Sequence, residues 1–238
     1  MKRLLLVAGL LLANGLATAS ECVVLLHGLS RSSLSMNKME RALIEAGYTT
    51  ANIDYPSRDH VIEELAVIAV TEGITECRAQ SATARIHFVT HSLGGILVRQ
   101  YLSEYELPEL GRVVMLGPPN RGSAAVDALG DVPGFDWLNG PSGRQLGKGE
   151  ASVPLKLGPA DFEVGVIAGT RTIDPVTSAV LPDPDDGKVS VEDTRLEGMT
   201  DFVIVPHSHA FMMRMQRVID LTKTFLVTGS FDDERVND

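Results

Sequence analysis

Short, uniformly apolar runs alternate with helix-like segments along most of the chain, and this alternation limits the folds that it can adopt. Runs without intervening polar residues are typical of strands that are buried on both faces of a sheet. We place such runs at 23–26, 113–116, 164–168 and 202–205, and two further strands, which also contain polar residues, at 49–55 and 85–90. Strands separated by helices require right-handed crossovers, which make a sheet parallel. The sequence therefore predicts a single α/β domain with a doubly wound, mainly parallel six-stranded sheet.

The segments between the strands show helical periodicity, with one long exception. Met36, Met39 and Leu43 recur at helical spacing, and Gly47 follows as a natural stop. The last helix is predicted at 210–226. The exception is 117–159, which is rich in Gly and Pro and has only a helical hint at 124–129. A long irregular segment inside a compact domain is usually a functional loop or lid, so we predict neither a linker nor a second core.

The residues T-H-S-L-G-G at 90–95 lie between a strand pattern and a helix pattern. A serine in such a sharp turn holds its hydroxyl out over the sheet, with the N-terminus of the following helix beneath it. Small residues two positions before and after the serine allow the tight turn. Gly94 is one of them, whereas Thr90 stands where a glycine is expected. The pattern predicts that Ser92 is a nucleophile.

Two later loops contain the groups that a serine nucleophile needs. A hydroxyl becomes nucleophilic when a base removes its proton and a carboxylate orients that base. The loop after the fifth strand contains D-P-D-D-G-K-V at 183–189, and the loop after the sixth contains P-H-S-H-A-F at 206–211. The candidates are Asp183, Asp185 and Asp186 for the acid, and His207 and His209 for the base.

Five motifs in order resemble those of compact bacterial lipases and esterases of the α/β-hydrolase superfamily. They are H-G-L at 27–29, T-H-S-L-G-G at 90–95, G-P-P-N-R-G-S at 117–123, D-D-G-K-V at 185–189 and S-H-A-F at 208–211. The resemblance covers most of the chain. It implies the α/β-hydrolase fold without a large cap domain, and hydrolysis of small-molecule or lipid carboxylic esters through an acyl-enzyme. It also implies that no cofactor and no metal are needed.

The resemblance assigns roles to individual residues. His209 is preferred as the base because similar lipases place it where the loop meets the final helix. Asp186 is preferred as the acid because the family's acid commonly precedes Gly and an apolar pair, although Lys188 interrupts that pair here. The backbone N–H groups of Leu29 and Leu93 are expected to form the oxyanion hole.

Other functions remain open at this point. Thioester hydrolysis, amide hydrolysis and acyl transfer use the same three side chains, and a non-catalytic envelope binding module can have the same fold. A lipase acting at a lipid surface needs an apolar rim, which Val132, Phe135, Trp137 and Leu138 would supply.

His91, beside the serine, is expected to pack or hydrogen-bond under the turn. The oligomeric state does not follow from these motifs.

The first nineteen residues have the pattern of a signal peptide. Lys2 and Arg3 precede an apolar stretch at 4–12, and A-T-A at 17–19 is typical of a cleavage site. The apolar stretch is shorter than the ~20 residues that a membrane span needs. We therefore predict a periplasmic or secreted protein with a hydrolase domain at 20–228, a flexible acidic tail at 229–238 and no integral membrane segment after cleavage.

The net charge and the cysteine content limit the classes of binding partner and the cellular compartments that the sequence predicts. The net charge is −10, and loss of Lys2 and Arg3 with the leader makes it −12. Such a charge argues against nucleic acid and against electrostatic attraction to anionic membranes. The cysteines are Cys22 and Cys77, and an even number in an exported chain predicts a disulfide, with two separate thiols as the alternative.

Overall fold

The computed structural model describes residues 21–80 and 85–232. It contains a six-stranded sheet with the order β2-β1-β3-β4-β5-β6, in which every pair of neighbours is parallel. The strands are β1 Cys22–Leu26, β2 Thr49–Ile53, β3 Ile86–His91, β4 Leu110–Leu116, β5 Val164–Gly169 and β6 Asp201–Val205. The predicted doubly wound α/β architecture is confirmed. The predicted signal peptide, at 1–19, lies outside the described residues.

Helices cover both faces of the sheet. They are α1 Asn37–Glu45, α2 Ile62–Gln80, α3 Leu93–Glu104, α4 Ala124–Leu129, α5 Phe135–Arg144, α6 Pro175–Ser178, α7 Val191–Thr194 and α8 Gln216–Thr228. Along β1, Val24 and Leu26 join the core beneath α2 and α3, whereas Val23 and Leu25 join the core beneath α1 and α8. Burial of both strand faces explains why the strands read as continuous apolar runs. Within 21–80 and 85–232, no helix has the length and apolar character to cross a membrane.

A disulfide joins Cys22 at the start of β1 to Cys77. Cys77 lies inside α2. Helix α2 lies close to the sheet because Gly73 has no side chain, since a Cβ there would come within 2.4 Å of Val24 Cγ1. The disulfide therefore connects two elements that already pack directly against each other.

The irregular segment contains more helix than the sequence predicted. Helix α4 occupies the predicted 124–129, but α5 was missed. Gly140 and Pro141 lie inside α5 and indicate a break when read as sequence. The backbone does kink there, because Gly140 has φ +64°, and the helix resumes with Pro141 in its first turn, a position that proline tolerates.

The C-terminal region also differs from the prediction. The last helix begins at Gln216 rather than near 210, after a short 3₁₀ turn at Met212–Arg214. The predicted flexible tail begins with packed residues, because Phe231 is buried against Phe225 and its N–H donates to Asp201. Residues 233–238 of that tail lie outside the described part of the chain.

Candidate active site

The candidate site lies where the strand order of the sheet reverses direction. Strand β1 has β2 on one side and β3 on the other, and ligands of open α/β sheets bind at the carboxyl ends of such strands. Leu26 pairs with Thr90, so β1 and β3 end at the same level. This register brings the loop that follows β1, at 27–31, beside Ser92.

Ser92 occupies a strained turn between β3 and α3. Its backbone has φ +52° and ψ −117°, and its N–H donates to the Leu116 carbonyl of β4 at 2.9 Å. Gly94 allows α3 to approach β1, since a Cβ there would lie 2.7 Å from the Leu26 carbonyl oxygen. Thr90 fits in place of the expected glycine because it faces Gly95, where a Cβ would lie 3.2 Å from Thr90 Oγ1.

A buried carboxylate and imidazole are hydrogen-bonded beside this turn. His209 Nδ1 lies 2.7 Å from Asp186 Oδ2, and the other carboxylate oxygen accepts the N–H groups of Lys188 and Val189 at 3.0 and 2.9 Å. A carboxylate can only accept, so Nδ1 carries the proton and Nε2 is left as a proton acceptor. The His209 N–H also donates to the Asp186 carbonyl at 2.9 Å.

The alternative acids and base occupy other positions. Asp185 is buried, but its carboxylate accepts from Ser178 Oγ and from the Gly187 N–H. Asp183 is exposed, and His207 is half-buried on the loop before His209. Residues 210–215 separate His209 from α8, so it lies within a loop rather than at the junction with the final helix. The contacts favour Asp186 and His209 as the acid and the base.

Glycines at the ends of two strands make room for this pair. At Gly117, with φ +55°, a Cβ would lie 3.0 Å from Asp186 Oδ2 and 3.1 Å from His209 Nδ1. At Gly169 it would lie 2.8 Å from Asp186 Cβ. Sequence reasoning missed both residues. The signal was a glycine directly after each of the apolar runs of β4 and β5.

His91 connects the serine turn to the histidine loop. It is almost completely buried, and its Nε2 lies 3.0 Å from the His209 carbonyl oxygen. A carbonyl only accepts, so Nε2 donates and the ring is neutral, with Nδ1 buried and unpaired within the described residues. Burial holds the pKa of His91 well below its usual range, and the neighbouring His209 lowers it further. This agrees with the expected hydrogen-bonding role under the turn.

The loop after β1 is shaped by His27. Its Nδ1 donates to the Gly28 carbonyl at 2.9 Å, its Nε2 accepts the Tyr55 N–H at 3.3 Å, and its ring stacks on Tyr55. Burial lowers the pKa of His27, which favours the neutral ring that these contacts require. Gly28 approaches the serine turn closely, since a Cβ there would lie 2.6 Å from His91 Nδ1.

The predicted oxyanion donors flank Ser92. Leu29 belongs to the loop after β1, and Leu93 is the first residue of α3. Neither backbone N–H donates a hydrogen bond to another residue within the described ranges. The first N–H groups of a helix have no partner inside the helix, so the Leu93 N–H is free to meet a negative charge at this position.

Ser92, His209 and Leu29 line one cavity of about 770 Å³. Much of the opposite wall comes from α4, α5 and the turn between them, and it is apolar: Ala125, Val126, Leu129, Val132, Phe135, Trp137 and Leu138. Several of these side chains reach solvent, with Trp137 82% exposed. Across 21–80 and 85–232, no cluster of three or more His, Cys, Asp or Glu residues is suited to hold a metal ion.

Some residues of the motif at 117–123 line the cavity, and others connect neighbouring segments of the fold. Ser123 lines the cavity, and its hydroxyl donates to the Lys188 carbonyl at 2.8 Å. Asn120 is instead a buried connector whose side chain accepts from Arg99 and donates to the Thr194 carbonyl. Arg121 forms a surface ion pair with Glu192. Pro119 and Ser123 are therefore the residues of this motif that line the cavity.

Comparison with known proteins agrees with this architecture. Residues 23–221 match the model of the alpha/beta hydrolase family, and the chain belongs to that family. A search among curated proteins gave no match.

Solved structures with the same fold include three enzymes. A lipase of Bacillus licheniformis, in its mature form, is 18% identical with a TM-score of 0.66, over 87% of this chain and 92% of the lipase. The phospholipase PlaB of Legionella pneumophila is 18% identical with a TM-score of 0.68, over 86% of this chain and 56% of the phospholipase. A thermophilic esterase of Thermogutta terrifontis is 15% identical with a TM-score of 0.57, over 89% and 91%. At these identities the likeness concerns the fold.

Proposed function

We propose that this protein is a serine hydrolase that cleaves carboxylic esters. Ser92 is the nucleophile, His209 the general base and acid, and Asp186 the carboxylate that orients the imidazole. The observation that carries the proposal is the 2.7 Å contact between His209 and Asp186, on the cavity that also contains the strained Ser92 turn. Strained backbone concentrates at functional sites, and this serine conformation is the one that a nucleophile elbow requires.

In the first half of the reaction, Ser92 Oγ attacks the ester carbonyl carbon while His209 Nε2 takes the hydroxyl proton. The carbonyl oxygen becomes an oxyanion, which accepts hydrogen bonds from the N–H groups of Leu29 and Leu93. The C–O bond of the ester then breaks, and His209 gives its proton to the departing alcohol. Asp186 stabilises the imidazolium throughout, and the acyl group remains on Ser92.

In the second half, a water molecule attacks the acyl-enzyme. His209 Nε2 takes a proton from the water, and the same oxyanion position is stabilised again. The acyl–oxygen bond to Ser92 breaks, and the proton returns from His209 to Ser92 Oγ. The carboxylic acid leaves, and the free enzyme is restored without any cofactor.

The cavity wall supports esters with an apolar acyl chain as substrates. Its apolar side chains, among them Leu129, Phe135 and Leu138, are those that would contact such a chain. The exposed Trp137 and Val132 at its edge favour lipid-like over purely water-soluble esters. Thioesterase and amidase activities would use the same residues, with a thiol or an amine leaving in place of the alcohol. Acyl transfer would replace the attacking water by another acceptor.

We further propose that the protein is exported to the periplasm or secreted. The disulfide between Cys22 and Cys77 supports this, because such bonds persist in oxidising compartments. The signal-peptide pattern at 1–19 gives the route. Detection of the mature protein beginning near residue 20 in a periplasmic or culture fraction is the expected result, and an uncleaved chain confined to the cytoplasm would contradict it.

The deciding experiment measures hydrolysis of p-nitrophenyl esters from acetate to laurate by wild type and Ser92→Ala. We expect the substitution to lower kcat/KM at least about 10⁴-fold and to abolish labelling by a fluorophosphonate probe. Ser123→Ala is the matched control. It removes a serine hydroxyl from the same cavity and leaves Ser92 in place. Undiminished labelling of Ser92→Ala would disprove the nucleophile. Failure of wild type to hydrolyse or be labelled would favour the binding module.

A further inference from the structure

The cavity has a net positive charge within an acidic protein. Its lining contains three side chains that carry a full charge, Arg31, Asp174 and Lys188. Lys188 Nζ donates to Asp174 Oδ2 at 2.7 Å, so these two charges compensate each other. The Arg31 guanidinium has no partner among the described residues. One uncompensated cation therefore borders the site, although the chain as a whole carries −10.

The backbone that carries Arg31 is strained in the same way as the serine turn. Within 21–80 and 85–232, only Ser30 and Ser92 have a positive φ without being glycine, with φ +55° and +52°. Both line the cavity. The Ser30 turn is closed by a hydrogen bond from the Arg31 N–H to the Gly28 carbonyl, at 3.2 Å. Strained residues persist where the surroundings enforce them, and they cluster at ligand sites.

Two contacts fix this turn against its neighbours. The Ser30 hydroxyl donates to the Leu138 carbonyl at 2.8 Å, and the Ser30 N–H donates to Ser57 Oγ at 3.1 Å. The turn is thereby attached to α5, which forms part of the apolar wall. Arg31 is thus held between the proposed oxyanion donor Leu29, two residues earlier, and the wall that would contact the acyl chain.

The charge of Arg31 acts on the serine turn. The pKa of His91 is lowered first by burial and then by His209, and Arg31 contributes further to the lowering. Arg31 and Ser92 line the same cavity, so an ester bound there lies within the field of the guanidinium. A guanidinium binds phosphate and carboxylate oxygens through two parallel hydrogen bonds, which makes an unpaired arginine a suitable partner for such a group.

We propose that Arg31 binds an anionic group in the alcohol part of the substrate. The substrate class is then an amphiphilic ester with an apolar acyl chain and a phosphate near the ester bond. This inference rests on the proposed ester hydrolysis and specifies its substrate. The apolar wall takes the acyl chain, and Arg31 neutralises the phosphate within the cavity.

The kinetic test uses two esters that differ in one phosphate, 1-decanoylglycerol and 1-decanoylglycerol 3-phosphate, both below their micelle concentrations. The measured quantity is the ratio of kcat/KM for the phosphorylated ester to that for the neutral ester. We expect Arg31→Gln to lower this ratio about tenfold and Arg31→Lys to lower it less. Arg41→Gln is the control, because it removes an equal charge from the exposed face of α1 and should leave the ratio unchanged. An equal ratio in wild type and Arg31→Gln would overturn the proposal.

A binding measurement keeps the test independent of turnover. Trp137 is the only tryptophan and lines the cavity, so its fluorescence reports on ligands there. Octyl phosphate, 1-octanol and inorganic phosphate are titrated into Ser92→Ala and into Ser92→Ala/Arg31→Gln. We expect octyl phosphate to bind the first variant about tenfold more tightly than the second.

Equal affinity of both variants for octyl phosphate would refute the role of Arg31. Binding of inorganic phosphate as tight as that of octyl phosphate would refute the amphiphilic substrate class. Neither result depends on ester hydrolysis, whose own failure appears as loss of turnover and of Ser92 labelling.

Discussion

The two walls of the cavity differ in how they are held. The wall next to the sheet contains Ser92 and His209, which are 8% and 7% exposed and are held by backbone hydrogen bonds. Asp186, which is bonded to His209, is 1% exposed and does not line the cavity. The wall formed by α4 and α5 presents Trp137 and Val132, which are 82% and 52% exposed. The proposed catalytic side chains thus belong to the most constrained part of the fold. The surface that would contact the acyl chain belongs to a less constrained part.

This difference has a local cause. The N–H of Ser92 is bonded to β4, and both faces of the sheet are covered, so the turn cannot shift without disturbing the core. Helix α5 is interrupted at Gly140, and the apolar side chains Trp137 and Leu138 before the interruption are exposed. Segments with few buried apolar contacts open locally at lower free energy than core strands. Substitutions in the two walls should therefore have different consequences.

The largest effect is expected from Asp186→Asn, beside the constrained wall. An amide at this position can donate to His209 Nδ1, which favours the tautomer with its proton on Nε2 and removes the base. We expect kcat/KM for p-nitrophenyl butyrate to fall about 10⁴-fold, with the protein still folded by circular dichroism. Asp185→Asn serves as the comparison, and an equal loss there would argue that the loop geometry, rather than the Asp186 charge, is what matters.

Loss of the disulfide should change stability and not chemistry. The bond closes a loop between residues 22 and 77. It lies at the amino end of β1, whereas the candidate site lies at the carboxyl ends of the strands. Cys22→Ala/Cys77→Ala is expected to lower the free energy of unfolding by about 2–4 kcal/mol in urea titrations. The kcat/KM of the folded variant should stay within about twofold. A large loss of activity in a fully folded variant would show that strain passes along the strands from their amino ends to their carboxyl ends.

Gly117→Ala tests how tightly the constrained wall is packed. The added methyl group would displace Asp186 and His209, and misplacement of reacting groups by about 1 Å can cost on the order of 10²-fold in rate. Gly47→Ala is the matched control, because Gly47 also has a positive φ, +96°, but a Cβ there meets nothing within 4 Å. Both variants should lose stability because alanine disfavours a positive φ, Gly117→Ala should lose more because of the close contacts, and only Gly117→Ala should lose kcat/KM. Equal activities would contradict the close packing of the pair.

The smallest effect is expected in the exposed wall. Trp137→Ala should change the free energy of unfolding by less than about 0.5 kcal/mol, because the side chain is mostly in solvent. The ratio of kcat/KM for p-nitrophenyl decanoate to that for the acetate should fall about fivefold, since contact with the longer chain is lost. Val227→Ala, an exposed apolar residue of α8, should leave the ratio unchanged. An unchanged ratio in Trp137→Ala would remove this side chain from the acyl site.

Features that depend on local order were predictable from the residues. Continuous apolar runs predicted the central strands, because strands buried on both faces leave few polar positions. The edge strands β2 and β6 are only partly buried, and the β2 segment also contains polar residues. The strand–turn–helix pattern around Ser92 was equally local. Helix α5 was missed because Gly140 and Pro141 indicate a break when read as sequence. The final helix begins at Gln216 rather than near 210, because a 3₁₀ turn at Met212–Arg214 precedes it.

By itself, the sequence determined the α/β architecture, the serine turn and a short set of acidic and basic candidates. Only the tertiary structure decided which of them meet. Asp186 is 23 residues from His209, and His91 is 118 residues from the carbonyl that it contacts. The order and register of the strands bring these groups together, and so do the spaces left by Gly117 and Gly169. Periodicity along the chain records whether a residue is buried but carries no information about which distant residue lies beside it.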